Sequence, residues 1–319
     1  MTLVEGVPTY AYPNGAVPGP RPPRSWTSLF DEDERRVPAW RAGALHVLFE
    51  DLRAPGWVYD VEEGGEGGGM VVPLALDCAR VLLAAFGDTE DWAEVAQYIP
   101  GHVKKDLVRW CAVRRPLSSA KLYALCGEEG HAEGELLVIG PEATLKRSAL
   151  AKDKGKQVDR RIRAAHPPSG DDTADGTTSC DADDFWDAPG DTATPLTTLA
   201  LTMTPLPHEL LSYLPPTLTH LALVALPQPA QIWRLPEMCP LLEALDLSYN
   251  DWFSGAAPTS EGSLDRVVWR RWRYLRVLGL RGCGIGVDIV SKVNAKRWTD
   301  VDIIGLGEPV STSTLSRSS

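Results

Sequence analysis

The sequence predicts an α/β protein in which a mainly helical region precedes a short array of parallel strands joined by helices and turns. Two observations lead to this fold class. A six-residue leucine pattern recurs through the last third of the chain, and apolar residues between positions 35 and 140 recur at helical spacing. A charged stretch with few apolar residues separates the two regions, which predicts a linker.

The leucine pattern is LxxLxL, and it occurs in four clear copies and one degenerate copy. In an extended segment alternate side chains point to the same face, so the fourth and sixth residues of each copy face one interior. One strand cannot bury that face alone, whereas copies stacked side by side form a continuous core. The copies start 22, 24, 33 and 23 residues apart, at Leu196, Leu218, Leu242, Leu275 and Trp298, and the last copy continues with Val301 and Ile303.

A short polar residue three places after the last leucine marks the turn that follows some of these strands. Asn250 holds this place in the third copy and Cys283 in the fourth, whereas Thr204 and Leu226 hold it in the first two. A polar side chain there can bond the backbone groups that leave the strand. With these features, residues 196–306 resemble leucine-rich-repeat arrays of the ribonuclease-inhibitor-like and F-box-associated kinds. The resemblance is specific for fold and much less so for function.

Such arrays present the residues between the buried leucines as an extended binding surface. Here these columns run from small and apolar in the first copies to charged in the last, which suits a protein with an apolar centre and a mixed-charge edge. The residues predicted to contact that partner are Thr198, Thr202, His220, Val224, Asp246, Ser248, Arg281, Asp300 and Asp302.

The chain divides into five predicted segments, listed here by residue number. They are a disordered proline-rich tail over 1–34, a mainly helical domain over 35–140, a disordered linker over 141–194, the repeat array over 195–306 and a disordered tail over 307–319. The linker is basic in its first half and acidic in its second, a composition that disfavours a packed core.

Four helices are predicted in the region before the linker, because apolar residues recur there every three or four positions. Pro100 and Pro116 separate or end two of them. A short strand at 135–139 is a candidate first member of the sheet that the repeats continue. The helical stripes are Leu45, Leu48, Phe49 and Leu52; Leu76, Ala79, Leu83 and Phe86; Trp92, Val95, Ala96 and Ile99; and Val103, Leu107, Trp110 and Cys111.

Charge and cysteine usage narrow the class of protein. A net charge of −11 over 319 residues disfavours broad nucleic-acid binding, which needs a basic surface. The six cysteines form no CxxC pair and the histidines show no ligand spacing, so we predict no metal site.

No apolar run is long enough to span a membrane or act as a secretory signal, which predicts a cytoplasmic or nuclear protein. Basic clusters at 146–147 and 160–163 fit a bipartite nuclear-import signal, although a solvated basic linker is the alternative.

The glycine turn at 282–286 offers an alternative function. It follows a predicted strand and opens a helix, with Asp302 about twenty residues on, so it imitates a dinucleotide or methyl-donor site. That arrangement would make the chain a nucleotide- or methyl-donor-dependent transferase. The repeat pattern already explains the strand and the turn, and too few residues follow to complete a doubly wound sheet.

Two further motifs have structural explanations. Trp269 to Arg273 interleaves aromatic and guanidinium groups as single-strand nucleic-acid binders do, but the spacing of Leu264, Val268 and Trp272 predicts an amphipathic helix that packs on a repeat. Residues 206–215 imitate the opening of an F-box, yet they lie where a repeat needs its returning helix.

We therefore predict a non-enzymatic protein-interaction module without catalytic, cofactor or metal residues. The more specific prediction is an F-box-like substrate receptor. Such a receptor would also bind ubiquitin-ligase subunits.

Overall fold

Six parallel strands lie side by side in chain order in the computed structural model, which describes residues 39–54, 73–86, 89–150, 194–253 and 264–307. The predicted tail at 1–34, most of the predicted linker and the tail after Gly307 lie outside the described residues. The strands are β1 (Glu135–Ile139), β2 (Thr198–Thr202), β3 (His220–Val224), β4 (Ala244–Asp246), β5 (Val277–Gly279) and β6 (Asp302–Ile304).

The second leucine of each LxxLxL copy is aligned with its counterpart on the neighbouring strand. Leu199 pairs with Leu221, Leu221 with Leu245, and Leu245 with Leu278. All four side chains are fully buried. The predicted stacking of the copies is confirmed, and so is the candidate strand β1, because Leu136 pairs in parallel with Leu199.

The fifth copy is shifted by two residues from the predicted register. Leu278 pairs with Ile303, whereas the pattern had placed Val301 at that position. A shift of two keeps the alternation of faces, so Val301 stays buried while Trp298 falls outside the strand in the preceding connection. The assignment of Trp298 to the buried column was therefore wrong.

Helices occupy each stretch with a predicted helical stripe. They are α1 (Ala39–Asp51), α2 (Leu74–Ala85), α3 (Thr89–Ala96) and α4 (Gly101–Arg114), followed by α5 (Ser119–Cys126), which the spacing did not predict. Ser118 caps α5 by accepting a hydrogen bond from the Lys121 amide. Pro100 precedes α4 at its N-terminus, where its missing N–H costs no helical bond.

The helices and the sheet share one hydrophobic core. Helix α4 packs against β1 and α2, and α1 packs across β3 and β4. Phe49 from α1 and Trp92 from α3 are fully buried in the same cluster as the strand leucines. The N-terminal helices are therefore not an independently packed body in this structure.

The packed region extends beyond the predicted start of the linker at 141. Ala143, Leu145 and Leu150 are buried in the common core, so the boundary lies at least ten residues later. The first basic cluster also makes contacts: Lys146 lies 4.5 Å from the Tyr123 ring centroid, and Arg147 lies over the ring of Tyr213. The second basic cluster, at 160–163, lies outside the described residues.

Short helices and 3-10 turns return the chain between strands. The helices are α6 (His208–Leu211), α7 (Leu235–Met238) and α8 (Asp288–Asn294). The amphipathic helix predicted over Leu264, Val268 and Trp272 was wrong, because two 3-10 turns, Leu264–Arg266 and Trp269–Arg271, take its place. Trp272 is nevertheless fully buried, and its indole donates to the Cys239 carbonyl at 2.8 Å.

The polar turn residues bond backbone carbonyls near the turns, and Asn250 bonds one in its own bend, as predicted. They also reach the neighbouring repeat. Asn250 donates to the carbonyls of Leu223 and Leu247, at 2.7 and 2.6 Å, and accepts from the Leu226 amide. Cys283 contacts the Leu247 carbonyl at 3.1 Å, and Thr204 contacts the Ala143 carbonyl at 3.3 Å. These bonds satisfy backbone groups that would otherwise be buried without partners.

Candidate functional site: the outer face of the sheet

The outer face of the sheet, formed by the residues between the buried leucines, is largely covered by helices of the same chain. Thr198 is 1 % exposed, Asp246 2 %, and Thr202, Val224 and Ser248 are fully buried. The sequence predicted all five as accessible. That prediction was wrong because the leucine pattern identifies the inward side of each strand but does not show what packs on the other side.

Polar contacts hold α1 on this face. Asp51, at the end of α1, lies 2.9 Å from Nε2 of His220, and Nδ1 of His220 lies 2.8 Å from the hydroxyl of Thr219. The guanidinium of Arg281 donates to the carbonyl of Gly43 at 2.9 Å. Two residues of the predicted partner surface, His220 and Arg281, therefore contact the protein's own helix.

A second helix covers the start of the sheet. Arg109 of α4 forms a bidentate ion pair with Glu135 on the outer side of β1, with distances of 2.7 and 2.5 Å. Both side chains are 7 % exposed. A buried bidentate pair fixes orientation through two parallel hydrogen bonds, so α4 is held in a defined position over β1.

Asp246 is a carboxylate buried under this layer. One oxygen accepts from the amide and hydroxyl of Ser248, at 2.9 and 2.5 Å. The other has no hydrogen-bond partner within the part of the chain that the structure describes. Burial raises the pKa of Asp246 to about 6, and the bonds from Ser248 and the charge of Arg281 only partly offset it.

The last strands leave part of the outer face open. Asp300 and Asp302 are exposed and Ile304 is half-buried. Trp298, in the connection that leads into β6, is 104 % exposed, which is unusual for the largest apolar side chain. We call these four residues the C-terminal face.

A network of charges borders the covered part of the sheet. Arg276 lies 2.9 Å from Glu243 and 3.4 Å from Asp51, so its charge is shared between the sheet and α1. The C-terminal face beyond it is acidic through Asp300 and Asp302. Of the nine residues predicted to bind a partner, these two are the exposed ones.

The glycine turn at 282–286 has the geometry of a repeat turn. Gly282 has a φ of 63°, and the equivalent positions Met203, Ala225 and Tyr249 have φ between 48° and 58° without being glycine. The following helix, α8, has only seven residues and begins with Asp288. Lys292 is paired with Asp265 at 2.7 Å and with Asp288 at 3.4 Å. The carboxylate of Asp288 at the helix start would repel a phosphate, and the charge of Lys292 is already balanced by its two acidic partners. Both features disfavour phosphate binding.

The thiols of Cys126 and Cys283 lie in the core. Burial raises the pKa of the Cys126 and Cys283 thiols to about 12, which disfavours the nucleophilic thiolate. Within the described residues, no three histidine, cysteine or acidic side chains come together as a metal site would require. The helices in that part of the chain also include none with the length and hydropathy to cross a membrane.

Comparison with known proteins gives no family. Neither protein-family models, nor curated proteins, nor solved structures match this chain.

Sequence reasoning missed two features of this site. Trp298 was assigned to the buried column, although Gly307, with a φ of 74°, follows Ile303 at the same distance as Gly282 follows Leu278. Gly305, with a φ of 84°, follows Val301 at the same distance, so the glycine spacing fits both registers and could not have revealed the shift. The role of Asp51 carried no local signal, because its partner His220 lies 169 positions away.

Proposed function

We propose that this chain is a non-enzymatic protein-interaction module of the leucine-rich-repeat kind, and that its partner binds the C-terminal face. The exposed indole of Trp298 is the observation that carries the proposal. Tryptophan is enriched among the residues that dominate binding energy at protein interfaces. An indole that is fully exposed is suited to insert into a pocket of another protein.

The charges around Trp298 define the chemistry of that partner. Asp300 and Asp302 lie on the same end of the array and are exposed. A complementary protein would present an apolar pocket bordered by lysine or arginine side chains. This differs from the apolar centre expected from the sequence, because the apolar part of the outer face is already covered by α1.

Affinity purification with the full chain tests this proposal. Trp298→Ala combined with Asp302→Lys should abolish recovery of the specific partner, because the anchor and one charge are both lost. The matched control is Tyr98→Ala, which removes another aromatic side chain of 81 % exposure from the helical region. If the partner is retained by the double variant, or lost equally in both, the C-terminal face is not the binding site.

More specifically, we propose that the chain is an F-box-like substrate receptor. Such a receptor needs one surface for the client and a second for a ubiquitin-ligase subunit. The chain offers exposed apolar residues in both the helical region and the C-terminal face, which supports two-sided binding. Recovery of ligase subunits with the Trp298→Ala, Asp302→Lys variant, but without the client, is the expected result. Absence of ligase subunits from both preparations would contradict the receptor role.

A further inference from the structure

Three positive side chains of the repeat array have no acidic partner. Arg270, Arg273 and Lys296 are exposed, and none of them forms an ion pair within the described ranges of the chain. Other cations nearby are balanced, in the pairs Arg271–Glu237, Arg276–Glu243 and Lys292–Asp265. A chain with a net charge of −11 has acidic side chains to spare, so a group of unpaired cations indicates a surface for a negatively charged partner.

The 3-10 turn Trp269–Arg271 directs two of these cations outward. A 3-10 helix has three residues per turn, so residues three apart share a side. Trp269 and Trp272 are 6 % and 0 % exposed, whereas Arg270 and Arg273, each one position later, are exposed. Tyr274 follows with 58 % exposure. The alternating aromatic and guanidinium groups of this segment are therefore sorted, with the indoles in the core and the arginines at the surface.

Arg297 brings the third cation and Trp298 to the same surface. The Arg297 guanidinium donates to the carbonyls of Trp269 and Leu275, at 3.1 and 2.9 Å. Lys296 and Trp298 are the chain neighbours of Arg297, so they lie beside the segment that carries the exposed arginines. This surface, which we call the basic edge, consists of Arg270, Arg273, Tyr274 and Lys296. It borders the C-terminal face at Trp298.

We propose that the basic edge binds an acidic segment of the same protein partner whose apolar pocket receives Trp298. The proposal rests on the proposed function, because Trp298 adjoins both surfaces. The partner then has basic side chains opposite Asp300 and Asp302, and acidic side chains opposite the basic edge. Opposite charges on the two sides of one anchor fix the orientation of the partner and reject a protein with the reverse arrangement.

The charge arrangement favours a protein over a single-stranded nucleic acid, which also binds exposed aromatic and basic side chains. A nucleic acid carries a phosphate at every nucleotide, so it would meet Asp300 and Asp302 as well as the basic edge. Repulsion by these carboxylates offsets the attraction of the cations. A protein can concentrate its carboxylates opposite the cations and place other groups opposite the two aspartates.

Fluorescence anisotropy with a labelled peptide tests the basic edge directly. The probe is an oligoglutamate peptide with a central leucine, and its control has glutamine in place of every glutamate. The full chain should bind the glutamate peptide with an affinity that falls as salt increases, and should not bind the glutamine peptide. Arg270→Glu combined with Arg273→Glu should weaken binding by at least roughly tenfold. Arg273→Gln, which removes one charge only, serves as a second variant if the double variant fails to fold.

The matched control is Arg53→Glu combined with Arg115→Glu. It makes the same change of net charge at exposed positions outside the basic edge, and it should bind the glutamate peptide like the wild type. No binding by the wild type, or an equal loss in both double variants, would overturn the proposal. Tighter binding of a single-stranded oligothymidylate than of the glutamate peptide would also overturn it, because the basic edge would then be a nucleic-acid surface.

Affinity purification with the full chain separates this proposal from the proposed function. Arg270→Glu combined with Arg273→Glu should lose the same partner that Trp298→Ala combined with Asp302→Lys loses. If the arginine variant retains a partner that the tryptophan variant loses, the basic edge is not part of the binding site and the C-terminal face still is. Loss from the arginine variant alone would instead contradict the proposed role of Trp298.

Discussion

Asp246 shows how a sequence pattern can place a side chain correctly and still miss its surroundings. The LxxLxL pattern predicted that this residue points to the outer face of the sheet, and its register opposite Gly279 agrees. The same pattern predicted exposure, whereas Asp246 is 2 % exposed beneath the helical layer. Periodicity records which side of a strand each residue occupies, but not which distant segment covers that side.

The buried carboxyl of Asp246 should make stability depend on pH. Its pKa is 3.8 before burial and about 6 in the folded protein, so the folded state binds the proton more tightly. The stabilisation from protonation is fully present below about pH 4 and is lost as the pH rises through 6. At pH 7.5 ionisation of Asp246 lowers the free energy of unfolding by on the order of 2–3 kcal/mol relative to the protonated form.

Asp246→Asn should remove this pH dependence. The amide oxygen can still accept from Ser248, but the side chain no longer ionises. We expect the free energy of unfolding to rise by about 1–2 kcal/mol at pH 7.5, with little gain at pH 4. Urea unfolding at several pH values measures the difference. Exposed Asp302→Asn is the control, and an equal pH profile for the two variants would show that Asp246 is not the titrating group.

The elements themselves were predictable where periodicity is long and regular. Each of the four predicted helical stripes lies on a helix, apart from Leu52, Phe86 and Ile99 just past the helix ends, because a stripe over two or three turns specifies both the period and the buried side. The helix predicted over 264–272 does not form because Val268 adopts a ψ of 76°, which ends one 3-10 turn before the next begins. Three apolar residues at intervals of four are too few to distinguish one helix from two turns.

Gly279 of β5 lies beside Asp246 of β4, where there is no room for a larger side chain. A Cβ atom added to Gly279 would collide with the Asp246 carboxylate and lie 3.2 Å from the Ser248 hydroxyl. Gly279→Ala should therefore lower the free energy of unfolding by about 1–3 kcal/mol. Asp246→Ala should recover part of that loss in the double variant, which urea unfolding of all four proteins would detect. Strict additivity of the two substitutions would argue against direct contact.

At the scale of the molecule, the helices and the strands fold as one body around a shared core. The sequence predicted the two regions and the stacking of the strands, but it did not predict how they join. Their contacts link distant positions: the Arg109–Glu135 pair joins α4 to β1, and the Asp51–His220 pair joins α1 to β3. As a result, the outer face, which the sequence predicted to be open across the whole sheet, is exposed mainly at its C-terminal end.

A chain cut between residues 151 and 193 should therefore stay assembled. The composition of that stretch predicts protease access, and the cut separates β1 from β2, which pair over five residues. We expect two fragments on a denaturing gel that elute together in native gel filtration. Fragments that separate without denaturant would show that the helical region and the strands are independent units.

The most direct test of the covered outer face is a double-mutant cycle between Asp51 and His220. Their side chains are 10 % and 13 % exposed and lie 2.9 Å apart, although α1 and β3 are far apart in sequence. Urea unfolding of the wild type, Asp51→Asn, His220→Gln and the double variant should give a coupling energy of about 0.5–3 kcal/mol. Additivity within about 0.3 kcal/mol would contradict the placement of α1 on the sheet and reopen the outer face to a partner.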